Sequence, residues 1–363
     1  MEPPTIALAM GDRVLTAREL NRALLARQLL LERSSVPLPR AVERVAGLQT
    51  QYAPSAYVSL WSRLRAFRRA SLTRALEQRR VVQGTLMRVT IHIVSPADFH
   101  LFAAGLRRAR RDWWLRVHRR VHRQEVDAVD MEKVADRLRE HLADGPRRAD
   151  ELKELLAADG FPSLVWSGIG LWVDMVRVPP SGTWERRRAD LYALAVDWIG
   201  SSKVTEAEGL AHLVRRYLGG FGPASLKDVA SWAQVPVAVL LPVVERLRLR
   251  RFRDEEGGEL LDVPRAALPD ADTRAPVRFL PTWDATLLVH ARRTQILPEP
   301  YRPLVFNART PHSVSTFLVD GAVAGTWRYE EGGVRIDPFD TLSRAARHEL
   351  EDEAKGLAAF HAD

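Results

Sequence analysis

The chain of 363 residues contains no cysteine, which excludes disulfides, thiolate metal sites and cysteine nucleophiles together. Lysine is scarce as well: of 54 basic residues only Lys133, Lys153, Lys203, Lys227 and Lys355 are lysines, and the other 49 are arginines. None of the five sits in an apolar setting that would depress its pKa, which argues against a lysine Schiff-base mechanism. No run of about eighteen apolar residues occurs, and Asp12, Arg13, Arg18, Glu19 and Arg22 interrupt any signal-peptide core. The expectation is a soluble, cytoplasmic protein without a membrane partner. Phosphate loops are missing too, since "YLGGFGP" and "SGIG" lack a strand-loop-helix context and read as turns and helix packing. No G-x-S-x-G elbow is present. His118 and His122 have an i, i+4 spacing without an accompanying Glu or third ligand, so neither metal nor cofactor is expected.

What is present supports several folded units, because 46% of the residues are apolar and the length allows more than one core. A net charge of +8 and a pI near 10.1 attract polyanions. A GC-rich coding bias yields the same arginine excess, so charge alone is a weak pointer to nucleic acid.

The clearest pattern is a repeat. "EKVADRLREHLADGPRRADELKELL" (Glu132 to Leu156) and "EGLAHLVRRYLGGFGPASLKDVASWA" (Glu208 to Ala233) each read as helix, Gly-Pro break, helix, with Glu151 and Asp228 at equal offsets from the break. After the second copy, "PVAVLLPVVERL" predicts a third helix and "RLRRFRDEEGGELLDV" a hairpin. Three helices and a β-hairpin wing make the winged-helix variant of the helix-turn-helix. The first copy continues in the same way through "SLVWSGIGLWVDMV" and "TWERRRADLYALA". The N-terminal hundred residues fit as a further unit, with a capping box at Thr16 and Glu19, helices at Pro39 to Leu48 and Leu72 to Gln78, and a strand "TLMRVTIHIV". From Val277 short β patterns take over, with "VDGAV" as a hairpin turn, before a final helix.

The expected fold is therefore α+β: three tandem winged-helix units, a small C-terminal β-rich domain and a terminal helix. The boundaries are 1–100, a basic connecting helix 101–126, 127–200, 201–270, the β-rich domain 271–340 and the last helix 341–363. The connecting segment "LRRARRDWWLRVHRRVHR" holds eight arginines and one aspartate. Arg116, Arg119 and Arg120 are its DNA-binding candidates, with a solvated cationic face as the alternative. Trp113 and Trp114 either stack on bases or pack into a core.

"GLQTQYAP" places Gln49 and Gln51 one residue apart at the end of an apolar helical pattern, before Pro54. A carboxamide does not act as a strong base near neutral pH, but it donates and accepts at once, so a pair can fix a water. The plainer reading is a turn in which both satisfy backbone groups.

Four blocks, "GLQTQYAPSAYVSLWSRL", "GTLMRVTIHIVSPADF", "LPTWDATLLVHARRTQILPEPYRP" and "FLVDGAVAGTWR", resemble the AlkZ/YcaQ-type winged-helix DNA glycosylases, in the expected order and across most of the chain. The resemblance implies three winged-helix units around a concave surface that holds double-stranded DNA. It implies monofunctional excision of N7-alkylated purines, extending to interstrand cross-links and genotoxin self-resistance, in a monomer acting at the nucleoid. Gln49 and Gln51 match the Q-x-Q catalytic motif of the AlkZ type, although Thr50 stands at a middle position that is usually apolar. The segment "VHARRTQ" matches a DNA-contacting hairpin, making His290, Arg292 and Arg293 contact candidates. Arg88 and His92, read as one face of a strand, either line the cleft or, for His92, fill the core. A non-catalytic DNA-binding regulator is the competing reading.

Overall fold

Thr16 opens the first helix, α1 (Ala17–Arg27), through the expected capping box: its hydroxyl accepts from the Glu19 amide at 3.2 Å and Glu19 Oε2 accepts from the Thr16 amide at 2.9 Å. The computed structural model describes residues 13–287, 294–306 and 314–363. The second helix, α2 (Leu38–Arg44), stops short of the predicted Leu48 because Ala46 and Gly47 take positive φ, 62° and 86°. A Cβ on Gly47 would lie 2.9 Å from Val94 Cγ1, so this turn needs glycine for its φ and for its close approach. The chain leaves the turn as β1 (Leu48–Gln49) and enters α3 (Ala53–Arg63), which carries Pro54 in its first turn. A proline after an apolar helical pattern ordinarily ends a helix. Here it starts a helix, because a first-turn residue needs no N–H donor.

After α4 (Arg69–Glu77), the segment predicted as one strand is a hairpin. Strands β2 (Val82–Thr85) and β3 (Ile91–Val94) pair antiparallel, Val82 with Val94 through Thr85 with Ile91, around a turn at Met87–Val89. Arg88 and Val89 hold left-handed backbone at φ 54° and 58°. Arg88 is thus a turn residue, and it does not alternate with His92 along a strand.

The long basic helix α5 (Pro96–Arg119) and α6 (Arg123–Ala128) lead into the first repeat: α7 (Met131–Leu142), β4 (Arg147–Arg148) and α8 (Ala149–Ala158). The third helix expected there is only two 3-10 turns, Ser163–Ser167 and Ile169–Leu171. Gly168 between them lies against Trp114, whose ring occupies the place of a Cβ. β5 (Met175–Arg177), β6 (Leu191–Leu194) and the short α9 (Ala195–Ile199) complete the repeat. β2 pairs with β5 through Gln83 and Arg177, so a six-stranded antiparallel sheet, β1-β3-β2-β5-β6-β4, runs from the N-terminal segment into the first repeat.

The second repeat follows its pattern closely. α10 (Glu206–Phe221) and α11 (Leu226–Ala233) both begin with capping boxes, at Thr205 with Glu208 and at Ser225 with Asp228. α12 (Val237–Arg246) precedes the predicted hairpin, β7 (Arg250–Arg253) with β8 (Glu259–Asp262). Gly105 of α5 and Gly209 of α10 let the two backbones touch, since a Cβ on Gly105 would fall 2.6 Å from the Gly209 carbonyl carbon.

The C-terminal β segment is a four-stranded sheet of β9 (Arg278–Leu280), β10 (Thr316–Val319), β11 (Ala322–Glu330) and β12 (Gly333–Pro338), in the order β12-β11-β10-β9. The turn at Asp320 and Gly321 has positive φ at both positions, as "VDGAV" predicts. A short α13 (Arg302–Val305) precedes β10, and α14 (Arg344–Ala362) closes the chain. This sheet does not stand alone. Phe279, Phe317 and Trp327 share one core with Tyr57 and Leu60 of α3 and with Leu357 and Phe360 of α14.

Charge is also built into the interior. Arg22, Arg27, Arg63, Arg110, Arg177 and Arg278 are buried, so part of the arginine excess fastens elements together. Arg27, for example, pairs with buried Asp262 and donates to the carbonyls of Leu218 and Ala267.

Candidate functional site

β1 carries Gln49 into the shared sheet opposite His92, and the chain peels away after the Thr50 amide donates to the Ile91 carbonyl at 2.8 Å. Gln49 is buried. Its Oε1 accepts from Arg88 Nη2 at 2.7 Å, and Arg88 Nη1 donates to the Trp232 carbonyl at 2.9 Å. Gln51 is exposed, and its Oε1 accepts from the Ile91 amide at 2.8 Å, replacing the ladder bond that β1 no longer supplies. Gln51 thus satisfies a backbone group, as the plain turn reading has it, whereas Gln49 binds a side chain, the Arg88 guanidinium. Gln51 in addition faces open space.

That space is a cleft of about 910 Å³ lined by Gln51, Tyr52, Pro54, Ser55 and Val58 on one side. Trp184 and Arg187 line it from the β5–β6 loop, Pro281, Thr282 and Trp283 from the segment after β9, and Trp327, Arg328 and Tyr329 from β11; His361 of α14 also borders it. Gln49 is not on its wall. Arg187 Nη1 donates to the Tyr52 hydroxyl at 2.8 Å, and the Tyr329 and His361 rings stack with centroids 4.2 Å apart. Burial, then the charges of Arg69 and Arg187, bring His361 down to about 4, so it is neutral at pH 7. Aromatic faces with two arginines at the rim suit a flat, cationic or nucleobase-like group beside a phosphate backbone.

A buried ion pair holds the two sides of the cleft together. Arg63, at the end of α3, binds Asp284 through two bonds of 2.9 Å, and Ser59 and Thr286 complete the network. Ser55 and Thr282 meet at 2.9 Å nearer the opening. Burial acts to raise the Asp284 pKa, but the Arg63 charge and hydrogen bonds outweigh it and leave the carboxyl below its ordinary range.

The other sequence candidates fall in different places. His92 is buried, with Nδ1 at 3.0 Å from the Thr90 carbonyl; burial first, then Arg88, lower its pKa to about 3. It takes the core alternative rather than a place on the cleft wall. Arg88 turns its guanidinium onto Gln49 and the Trp232 carbonyl. Arg116, Arg119 and Arg120 are exposed and with Arg123 border a surface groove, where Arg119 also pairs with Asp127 at 2.9 Å. Trp114 packs inward, stacked on His118 and donating to Ser167 at 3.0 Å. His118 Nδ1 lies 2.9 Å from the Trp114 carbonyl. His290, Arg292 and Arg293 lie outside the described residues.

Sequence reasoning singled out neither Trp184 and Arg187 nor Tyr329 and His361. "TWERRRAD" offered a signal, a tryptophan beside three arginines in a loop, but nothing local says that the loop meets Tyr52. Tyr52, Trp283, Trp327 and Arg328 all lay inside the family-like blocks without being given a role.

Helix pairs joined to hairpins, a small antiparallel sheet packed on them and a basic, aromatic-lined cleft define an α+β protein of winged-helix-like architecture. Residues 42–360 match the family model described as "DNA glycosylase AlkZ-like", and the chain belongs to that family. Family membership supports a role in repairing alkylation-damaged DNA. Among solved structures, the Streptomyces sahachiroi DNA glycosylase AlkZ superposes with a TM-score of 0.79 at 18% identity, covering 95% of this chain and 96% of that one. That likeness speaks for the fold. No curated protein sequence matches the chain.

Proposed function

We propose that this protein is a monofunctional DNA glycosylase that excises N7-alkylated purines from double-stranded DNA by placing a water for attack at the sugar C1′. The carrying observation is Gln51 on the wall of a 910 Å³ aromatic cleft, two residues from Gln49. An N7-alkylpurine is cationic and leaves as a neutral base, so no strong acid is needed. What remains is to orient a water against an oxocarbenium-like sugar, which polar groups held rigidly can do. Gln51 is assigned to the water, and Gln49 to orienting it or the sugar. The scarcity of lysine fits a product that is an abasic site rather than a nicked strand.

The helix and hairpin segments are read as three winged-helix units presenting DNA to this cleft as a monomer at the nucleoid. Arg116, Arg119 and Arg120, with His290, Arg292 and Arg293, are the proposed backbone contacts. The open, wide cleft is compatible with bulky adducts and cross-linked purines, and with a self-resistance role. Incubation with a duplex containing N7-methylguanine is expected to yield free base and alkali-labile abasic sites. Gln51→Ala is expected to lower single-turnover release about a hundredfold or more with lesion-duplex affinity nearly unchanged. Tight binding with no base release on several alkylated duplexes would instead establish a non-catalytic DNA-binding protein.

A further inference from the structure

Amide orientation decides what each glutamine can do, and the neighbouring donors fix it. A guanidinium only donates, so the Gln49 atom 2.7 Å from Arg88 Nη2 has to be oxygen. The Ile91 backbone N–H selects Gln51 Oε1 in the same way, at 2.8 Å. Arg88 itself has little freedom. Its second arm is spent on the Trp232 carbonyl, its backbone is left-handed at φ 54° and ψ 26°, and burial lowers its pKa only to about 10, leaving it charged at neutral pH. A non-glycine residue in that region persists where its surroundings over-determine it, and such residues cluster at functional sites.

We propose that Arg88 is a positioning residue that holds Gln49 in a single amide orientation, so that Gln49 serves the reaction through its N–H donors and not as a proton acceptor. This rests on the glycosylase reading of the Q-x-Q pair. A carboxamide whose oxygen is bound by a cation presents its NH2 at the opposite corner, and the adjacent charge strengthens those donors. Donors suit an oxygen, and because Gln49 is buried behind the cleft wall that oxygen is a water held beside Gln51 rather than a phosphate of the duplex. They do not suit the cationic C1′ directly; Gln51, whose oxygen is likewise bound by a donor, differs from Gln49 in lying on the cleft wall. The guanidinium that sequence reading assigned to DNA is instead spent on the motif, and it ties the motif to α11.

Selective 15N-glutamine labelling gives eight side-chain amide pairs, with the Gln49 pair identified by its loss in Gln49→Ala. Arg88→Met is expected to shift the Gln49 pair, speed its solvent exchange and slow base release at least about tenfold, with lesion-duplex affinity retained. Arg88→Lys keeps the charge with fewer donors and is expected to fall between the two, and it carries the test if the methionine variant does not fold. Gln49→Glu keeps the contact to Arg88 while replacing donors with acceptors, and should slow release about 10²- to 10³-fold. Gln49 signals unmoved in the Arg88 variants would overturn the clamp. A Gln49→Glu enzyme as fast as the parent, with a new acidic limb in its pH profile, would overturn the donor role. Should the parent release no base, the glycosylase reading fails, and the amide signals still decide whether Arg88 orients Gln49.

Discussion

His92, on β3 opposite Gln49, is 2% exposed, and its pKa near 3 stands far below the ordinary histidine value of 6.5. Below pH 6.5 the unfolded chain takes up a proton that the folded one refuses, so stability is present above that pH and is lost as pH falls toward 3. His361, near 4, acts in the same direction. The melting temperature is expected to fall between pH 6.5 and about 4, with a shallower slope in His92→Gln; an unchanged slope would mean that His92 titrates normally. Asp284, with its carboxyl lowered, adds stability above the ordinary aspartate pKa that is lost at still lower pH. Removing Arg63 as Arg63→Met strands the Asp284 charge and is expected to cost about 3–5 kcal/mol in chemical denaturation, more than changing both partners to apolar residues. At this scale the spacing of Gln49 and Gln51 was legible in the sequence. Their partners were not, because Arg88 is 39 residues from Gln49 and reaches it only through a left-handed turn.

The β5–β6 loop is the element that sequence reading undervalued. Gln83 Nε2 donates to the Gly182 carbonyl at 2.7 Å, and the Ser181 hydroxyl bonds to Arg188 and Asp190, so the loop is pinned where it presents Trp184 and Arg187. Arg187→Ala is expected to weaken duplex binding for all sequences and to reduce the slope of log affinity against log salt by about 0.9. Trp184→Ala should leave the slope intact and weaken lesion-containing duplex selectively; equal losses on damaged and undamaged DNA would argue against a lesion-facing ring. Elements with several turns and capping residues, such as α1, α10 and α11, were legible because apolar spacing and Ser/Thr with Glu/Asp at the fourth position are local signals. β1 has two residues and therefore no periodicity. Pro54 reads alike as a break or as a helix start until tertiary contacts choose.

Across the whole molecule, the units visible in sequence do not keep separate interiors. The largest core joins Leu24 of α1, Phe102 of α5, Tyr217 and Trp232 of the second repeat and Leu318 of β10. Residues 1–126 expressed alone are expected to lack a cooperative melting transition by circular dichroism, because β2 would lose β5 and α5 would lose α10. A sharp transition would show that this unit folds independently. The pairing of Gln83 with Arg177 and Gly84 with Val176 makes the junction of the first two units a hydrogen-bonded ladder instead of a linker. Gln51, two residues beyond β1, and Arg187, in the loop between β5 and β6, therefore both extend from strands of one continuous sheet. Under the proposed function, a protein so built acts as the template for the duplex. On that reading, the compliance needed to seat a distorted duplex against both residues comes from the nucleic acid, which favours sequences and lesions that already bend easily.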